Sequence, residues 1–194
     1  MAPPDLSGAF DDRPRQAAAS FRAMLRALSR PGRIESIDPV APPHPLEAAA
    51  AALLLTLADA TTPLWLPERL RGTDSAAWLL FHTNAPQTVG RAEAEFALGR
   101  WEELLPIEAW PQGEPQFPDR STTLIVETAG LDGGATLTLS GPGIREAQSW
   151  SPLLPADAVP MLQANARKSP LGLDFFFTAG SRLAGLPRSI RIGG

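Results

Sequence analysis

Few residues in this 194-residue chain could do covalent or acid–base chemistry unaided. There is no Cys, which excludes disulfides, thiolate metal sites and Cys nucleophiles and fits a reducing cytoplasm. His44 and His82 are the only two histidines, too few for a His-based metal cluster, and one sequence with these two gives no Ser-His-Asp arrangement. Lys168 is the only lysine, so nearly all positive charge is arginine. The expectation is no catalytic residue, no metal and no cofactor.

Binding residues are easier to nominate. Ser140-Gly141-Pro142-Gly143 follows a strand-like segment and could present backbone N–H groups to an anion, or be simply a structural turn. It lacks the glycine spacing of a dinucleotide loop and the Lys and Ser/Thr of a P-loop. Arg188 and Arg191 could grip phosphate oxygens with their guanidinium forks, or protect an edge strand. Ser140, Gly141, Gly143, Arg188 and Arg191 are therefore the candidate ligand-binding residues. Asn165, Arg167, Lys168 and Asp174 cluster around a helix break; capping the helix C-terminus is the preferred role, ahead of a site. Asp119-Arg120 reads as a local ion pair or a ligand contact. Arg22, Arg26 and Arg30 recur at helical spacing, as a solvated stripe or as an anion or partner surface. His82 reads as a structural histidine or a base.

The elements that must position these residues follow from hydrophobic period and breakers. Pro14 to Ser29 has helical spacing, with Pro14 in the first turn and Pro31-Gly32 at the end. Arg33 to Ile37 reads as a short strand. Pro45 to Ala58 is apolar almost all round and predicts a helix that is buried or at an interface. Leu64-Trp65-Leu66 and Ala76 to His82 read as core strands, and Arg91 to Leu98 as a short helix. Trp110 to Pro118, with three prolines and a glycine, reads as an exposed loop. Ser121 to Thr128 and Ala135 to Ser140 predict strands that pair antiparallel across Gly130 to Gly134, inside a larger sheet. Ala156 to Lys168 predicts a helix. Leu173 to Thr178 predicts a central strand anchored from both faces by Phe175, Phe176 and Phe177, and Arg188 to Ile192 an edge strand. The sum is an α/β fold, a mixed sheet with helices on both faces.

One domain over residues 13–194, after a loose lead-in over 1–12, fits this length, which buries roughly 70% of the surface its unfolded chain exposes. The net charge of −4 argues against broad nucleic-acid binding. The longest apolar run, Ala48 to Leu55, is far short of the roughly 20 residues of a membrane span, and the acidic N-terminal segment is unlike a secretory signal. The expected location is the cytoplasm.

Six segments taken in order carry a family resemblance: FRAMLRALSRPGRI (21–34), LLLTLADATTPLWL (53–66), AEFALG (94–99), FPDRSTTLIVE (117–127), LTLSGPGI (137–144) and SPLGLDFFFTAGSRLAGLPRSIRI (169–192). Together they resemble the PhnH family, a component of the bacterial carbon–phosphorus lyase system. The resemblance implies a role in phosphonate breakdown, in the step that uses ATP to attach a ribose triphosphate to an alkylphosphonate with displacement of adenine. It implies a homodimer that assembles with the carbon–phosphorus lyase subunits G, I and J. It implies a three-layer α/β/α fold like the large domain of pyridoxal-phosphate-dependent transferases, without the cofactor. It transfers no catalytic residue.

The residues bear on that cofactor separately. A pyridoxal-phosphate enzyme needs a Schiff-base lysine, and Lys168 falls at a polar helix end, so no covalent cofactor is expected. The preferred reading is a non-catalytic or accessory subunit of a transferase complex. It predicts exposed apolar surface from the Ala48–Leu57 helix or from Trp101, Trp110 and Trp150. The rival is a stand-alone α/β enzyme or binding protein for a phosphorylated ligand; a degenerate transferase scaffold is a third reading.

Overall fold

The computed structural model describes residues 5–38 and 40–193. Its centre is a seven-stranded mixed sheet built from β1 (Ile34–Ser36), β2 (Leu64–Trp65), β3 (Gln87–Thr88), β4 (Phe96–Arg100), β7 (Thr123–Glu127), β10 (Asp174–Ala179) and β11 (Arg182–Leu186). The order across it is β1-β11-β10-β7-β4-β2-β3. The five strands from β10 to β3 run parallel, and the β11 hairpin and β1 add an antiparallel edge. A hairpin of β5 (Gln112–Glu114) and β6 (Phe117–Ser121) stands apart. So does a three-stranded antiparallel sheet of β8 (Leu137–Ser140), β9 (Gln148–Trp150) and β12 (Arg191–Gly193), in the order β12-β8-β9.

Helices α1 (Arg13–Ser29), α2 (Ala48–Leu57) and α3 (Asp74–Thr83) cover one face. The Asp12 carboxylate accepts from the Arg15 N–H to start α1, and Gly32, at φ 82°, turns the chain after it. Helix α2 lies between α1 and α3 against β10, and Ala49 through Leu55 are all buried. That answers the all-round apolar pattern: the helix has no solvent face. The opposite face of the sheet is covered differently from the expectation of helices alone. Leu137, Leu139, Trp150 and Ile192 of the small sheet pack there with Ala158 and Leu162 of α5 (Ala158–Ala166) and Trp101 and Leu104 of the one-turn α4 (Trp101–Leu104).

Phe175, Phe176 and Phe177 do anchor β10 from both faces: Phe176 enters the helix-side core, and Phe175 and Phe177 the other. Burying each stabilises the fold by about 1.5–3 kcal/mol. Gly185 of β11 lets α1 come close to the sheet, since a Cβ there would lie 2.8 Å from backbone atoms of Ala27 and Leu28. The edge strand expected over Arg188 to Ile192 is present only as β12, and Arg188 to Ile190 form a turn that leads into it.

Several expectations need correction. The segments at 121–128 and 135–140 do not form a hairpin: β7 takes β10 and β4 as parallel neighbours, and β8 joins the small sheet. Ala76 to His82 is helical, as most of α3, not a strand. Arg91 to Leu98 is a 3-10 turn at Arg91–Glu93 followed by β4. The exposed loop at 110–118 is largely the β5–β6 hairpin, and Trp110 at its start is buried, its indole N–H donating to the Leu104 carbonyl at 2.8 Å. Trp101, Trp150 and α2 are buried too, so none of the residues expected to supply exposed apolar surface does so. That surface comes from Phe21 and Leu25 on α1, Leu80 and Phe81 on α3, and Val89, Phe117 and Leu153.

The lead-in is less loose than expected where it is described; its residues 1–4 lie outside the described residues. Leu6, Ala9 and Phe10 pack on the helix-side core, and the Trp78 indole donates to the Ser7 carbonyl at 2.7 Å. His82 Nε2 lies 2.9 Å from the Leu6 carbonyl oxygen, which makes that nitrogen the protonated one, and its ring meets Trp78 edge-on. His82 therefore fastens the N-terminal segment.

Candidate functional site

In open parallel sheets ligands collect outside the carboxyl ends of the strands, where the strand order reverses. Here the chain runs from β2 to β3 on one side of β2 and returns to β4 on the other. A cleft of about 340 Å³ opens beside that point, at the carboxyl ends of β4 and β7. Arg100 and Glu127, the last residues of those strands, are register partners and both line it. The segment after β2 adds Arg69, and Pro45, Glu47, Leu153, Leu154 and Pro155 form the outer wall.

Arg69 organises the floor. Its Nε donates to both Glu103 oxygens, at 3.0 and 3.2 Å, and its Nη2 donates to Glu127 Oε2. Glu103 also accepts from the Arg100 backbone N–H at 2.8 Å. Glu127 Oε1 accepts from the Glu47 N–H at 3.3 Å, so a strand end and the start of α2 share one carboxylate. The Glu127 side chain is only 5% exposed. Burial pushes its carboxyl above the ordinary glutamate range; Arg69 and the Glu47 N–H pull it back without cancelling the rise, and the Glu47 charge adds to it. For Arg69, burial works against the charge, but the carboxylates of Glu127 and Glu103 win and raise it. The buried Trp101 indole N–H beside the cleft has no partner among the described residues.

A carboxylate bonded on both oxygens is fixed in place and poorly suited to shuttling a proton. The arrangement is a rigid polar cleft, suited to holding a ligand or a partner side chain. None of Arg69, Arg100, Glu103 and Glu127 was nominated from the sequence. The available signal was a lone glutamate ending the apolar strand TLIVE, since a charge at the carboxyl end of a buried parallel strand has no packing reason to be there.

The nominated residues lie elsewhere: Ser140, Gly141 and Arg191 are neighbours where β8 meets β12, while the Arg188 guanidinium is engaged inside the protein. Ser140 pairs with Arg191 across the β8–β12 ladder. Pro142 and Arg191 border a groove of about 670 Å³ with Gln163, Arg167 and Ser189. Gly143 faces a second groove on the other side of the same turn. Gly141 and Gly143 take φ 136° and 81°, so the turn depends on glycine at both. The Arg188 guanidinium is committed within the protein, to Asp174, the Pro118 carbonyl and Ser121. The Asn165 side chain exchanges hydrogen bonds with the backbone of Leu173, at 2.9 Å out and 2.8 Å back, and so pins the break after α5 to β10. Lys168 Nζ donates to Gln112 Oε1 at the exposed end of that helix. Arg120 lies over the Phe117 ring at 3.9 Å, a cation–π contact. No helix is long and apolar enough to cross a membrane among the described residues.

The model of the family described as bacterial phosphonate metabolism protein (PhnH) matches residues 8–193. The chain is 36% identical over 189 residues to the alpha-D-ribose 1-methylphosphonate 5-triphosphate synthase subunit PhnH of Rhizobium meliloti (strain 1021), covering 96% of this chain and 94% of that protein. It is 30% identical over 194 residues to the putative C-P lyase subunit protein HtxG of Stutzerimonas stutzeri, covering 98% of this chain and 92% of the other. With the match running through the whole sheet, both flanking layers and the cleft, the chain belongs to the PhnH family of bacterial phosphonate metabolism proteins.

Proposed function

We propose that the chain is a subunit of a carbon–phosphorus lyase complex, supporting the ATP-dependent formation of ribose 1-alkylphosphonate 5-triphosphate with displacement of adenine. The observation that carries this is the near full-length match to a synthase subunit and to a C-P lyase subunit protein. The cleft favours the same reading, because its one buried carboxylate is tied down on both oxygens. In this reading the chain is an accessory component of a cytoplasmic transferase, folded as one α/β domain whose core takes in Leu6, Ala9 and Phe10 as well as the segment from residue 13 onward. It forms a homodimer and assembles with subunits G, I and J. The apolar pairs Phe21/Leu25 and Leu80/Phe81 supply surface for such contacts.

The fold proposal is that of a pyridoxal-phosphate-dependent transferase large domain that works without the cofactor. It is supported by the parallel β2-β4-β7-β10 core and by Lys168, which lies at an exposed helix end bonded to Gln112 and away from the cleft. The test is co-expression of a tagged chain with subunits G, I and J. Their recovery with the tag, and loss of growth on methylphosphonate when this chain is deleted, are the expected results. A chain that purifies alone and converts ATP and methylphosphonate unaided would refute the proposal and leave the stand-alone enzyme.

A further inference from the structure

Residues 13–33 hold six arginines and no carboxylate, in a chain whose net charge is −4. Two of them, Arg30 and Arg33, sit where α1 ends, and Arg145 joins them from the segment after β8. The three border one open groove of about 450 Å³. Gly143 is what brings them together. At its φ of 81° a Cβ would lie 2.1 Å from the Ser29 carbonyl oxygen, so the turn is pressed directly onto the end of the helix. Only a residue without a side chain allows that approach, and Arg145 follows two positions later.

The helix itself explains only part of this charge. A cation at a helix C-terminus complements the helix dipole, which suits Arg26 in the last turn and Arg30 at the C-cap, and Arg26 is also paired with Glu35 at 2.8 Å. Arg33 lies beyond the helix, and Arg145 comes from a different segment. Among the described residues, none of the Arg30, Arg33 and Arg145 guanidinium groups has an ion-pair partner. Glu146 is the one carboxylate that lines the groove among the described residues. Three like charges from two segments, held close by backbone packing and left uncompensated, are an arrangement that an anion would relieve. Guanidinium forks match phosphate oxygens, and an open groove lined by three forks from two segments suits a chain of phosphates better than a single one.

We propose that the groove between the end of α1 and the Gly143–Arg145 segment binds a triphosphate chain, through Arg30, Arg33 and Arg145. That the anion is a triphosphate rests on the proposed role in the synthesis of a 5-triphosphate; the cationic groove does not. The site is separate from the Arg69–Glu127 cleft.

The test is calorimetric titration of the full-length protein with inorganic tripolyphosphate, ATP and adenosine, for the wild type and for Arg33→Ala/Arg145→Ala. Both positions are exposed, so the variant should fold, and an unchanged urea midpoint checks this. Tripolyphosphate and ATP are expected to bind with similar affinity, weakening with added salt, while adenosine does not bind. The double variant should lose at least tenfold for both. An ATP affinity that survives in the double variant, or wild-type protein that binds neither polyanion, overturns the assignment. Either failure leaves the subunit reading intact, because that is decided by co-purification. A chain that binds tripolyphosphate through these arginines but recovers no partner subunit refutes only the subunit reading.

Discussion

Arg188 and Asp174 are joined side chain to side chain and side chain to backbone. The guanidinium reaches Asp174 through Nε, at 3.2 Å to each oxygen, and Nη2, at 2.5 Å, while the Arg188 N–H donates to Oδ1 at 2.9 Å. The remaining donors go to the Pro118 carbonyl at 2.6 Å and Ser121 Oγ at 2.5 Å, so one side chain ties β10, the segment after β11, and β6. The Arg188 side chain is 14% exposed. Removing it strands a half-buried carboxylate, and Arg188→Ala is expected to destabilise the fold by about 3 kcal/mol. Arg188→Lys should recover only part, because an ammonium cannot reproduce the fork. Urea unfolding midpoints of the three proteins measure this.

Glu127 sets a pH dependence of unusual sign. Its carboxyl is raised in the folded state, so folding takes up a proton between the ordinary glutamate value of about 4.3 and the higher folded value. Across that window stability falls as pH rises, and the burial penalty is fully present above it. Glu127→Gln keeps an acceptor for the Glu47 N–H and removes the titration. The expected result is that the wild-type urea midpoint loses ground relative to Glu127→Gln as pH is raised through the window, and parallel profiles would show that Glu127 does not titrate there. Glu127→Ala removes the acceptor as well and leaves Arg69 with Glu103 alone; it should be less stable than Glu127→Gln at neutral pH.

Gly185 fixes the distance of α1 from the sheet. A side chain there meets backbone of Ala27 and Leu28, which cannot rotate away. Gly185→Val should lower stability by about 1–3 kcal/mol, the range for overpacked cores. A thermal melt, with near-ultraviolet circular dichroism to follow tertiary packing, tests this.

Phe177 stacks with Phe175 at 5.9 Å and meets Trp150 edge-on at 5.2 Å, joining the main sheet to the small one. Phe177→Ala should cost about 3–5 kcal/mol. Phe21→Ala, at a position 45% exposed on α1, should stay within about 0.5 kcal/mol in the isolated protein. Equal losses for the two would contradict the burial pattern.

What can be read from the sequence tracks how local the information is. Helices α1, α2 and α5 carry their own breakers, prolines and period, and β10 announces itself with three phenylalanines. The segment AAWLLFH has neither a clear period of two nor of 3.6, and such short apolar runs do not choose between strand and helix. It is helical, and Asn84, in the left-handed region at φ 59°, closes it with a C-cap. The β7–β8 pairing suggests itself because the segments are adjacent in sequence, yet β7 is settled by β4 and β10, which no local pattern reveals. The Arg69–Glu127–Glu103 set is invisible for the same reason: its members come together only when three strand ends are aligned. The nominated residues are found by type, and Arg188 shows the limit of that approach. A phosphate-binding fork and a structural fork have the same chemistry, and only the neighbours tell them apart.

The place of β1 in the sheet has a consequence for biosynthesis. Its one neighbour in the sheet is β11, which is made only after all the other strands of that sheet. Until then the nascent chain carries α1 and α2 with no finished surface to settle on, and the all-apolar α2 is open to capture by chaperones or by other unfinished copies. A transcript that stops before Asp174 removes both β10 and β11, and so withdraws the docking partner of a strand made long before them.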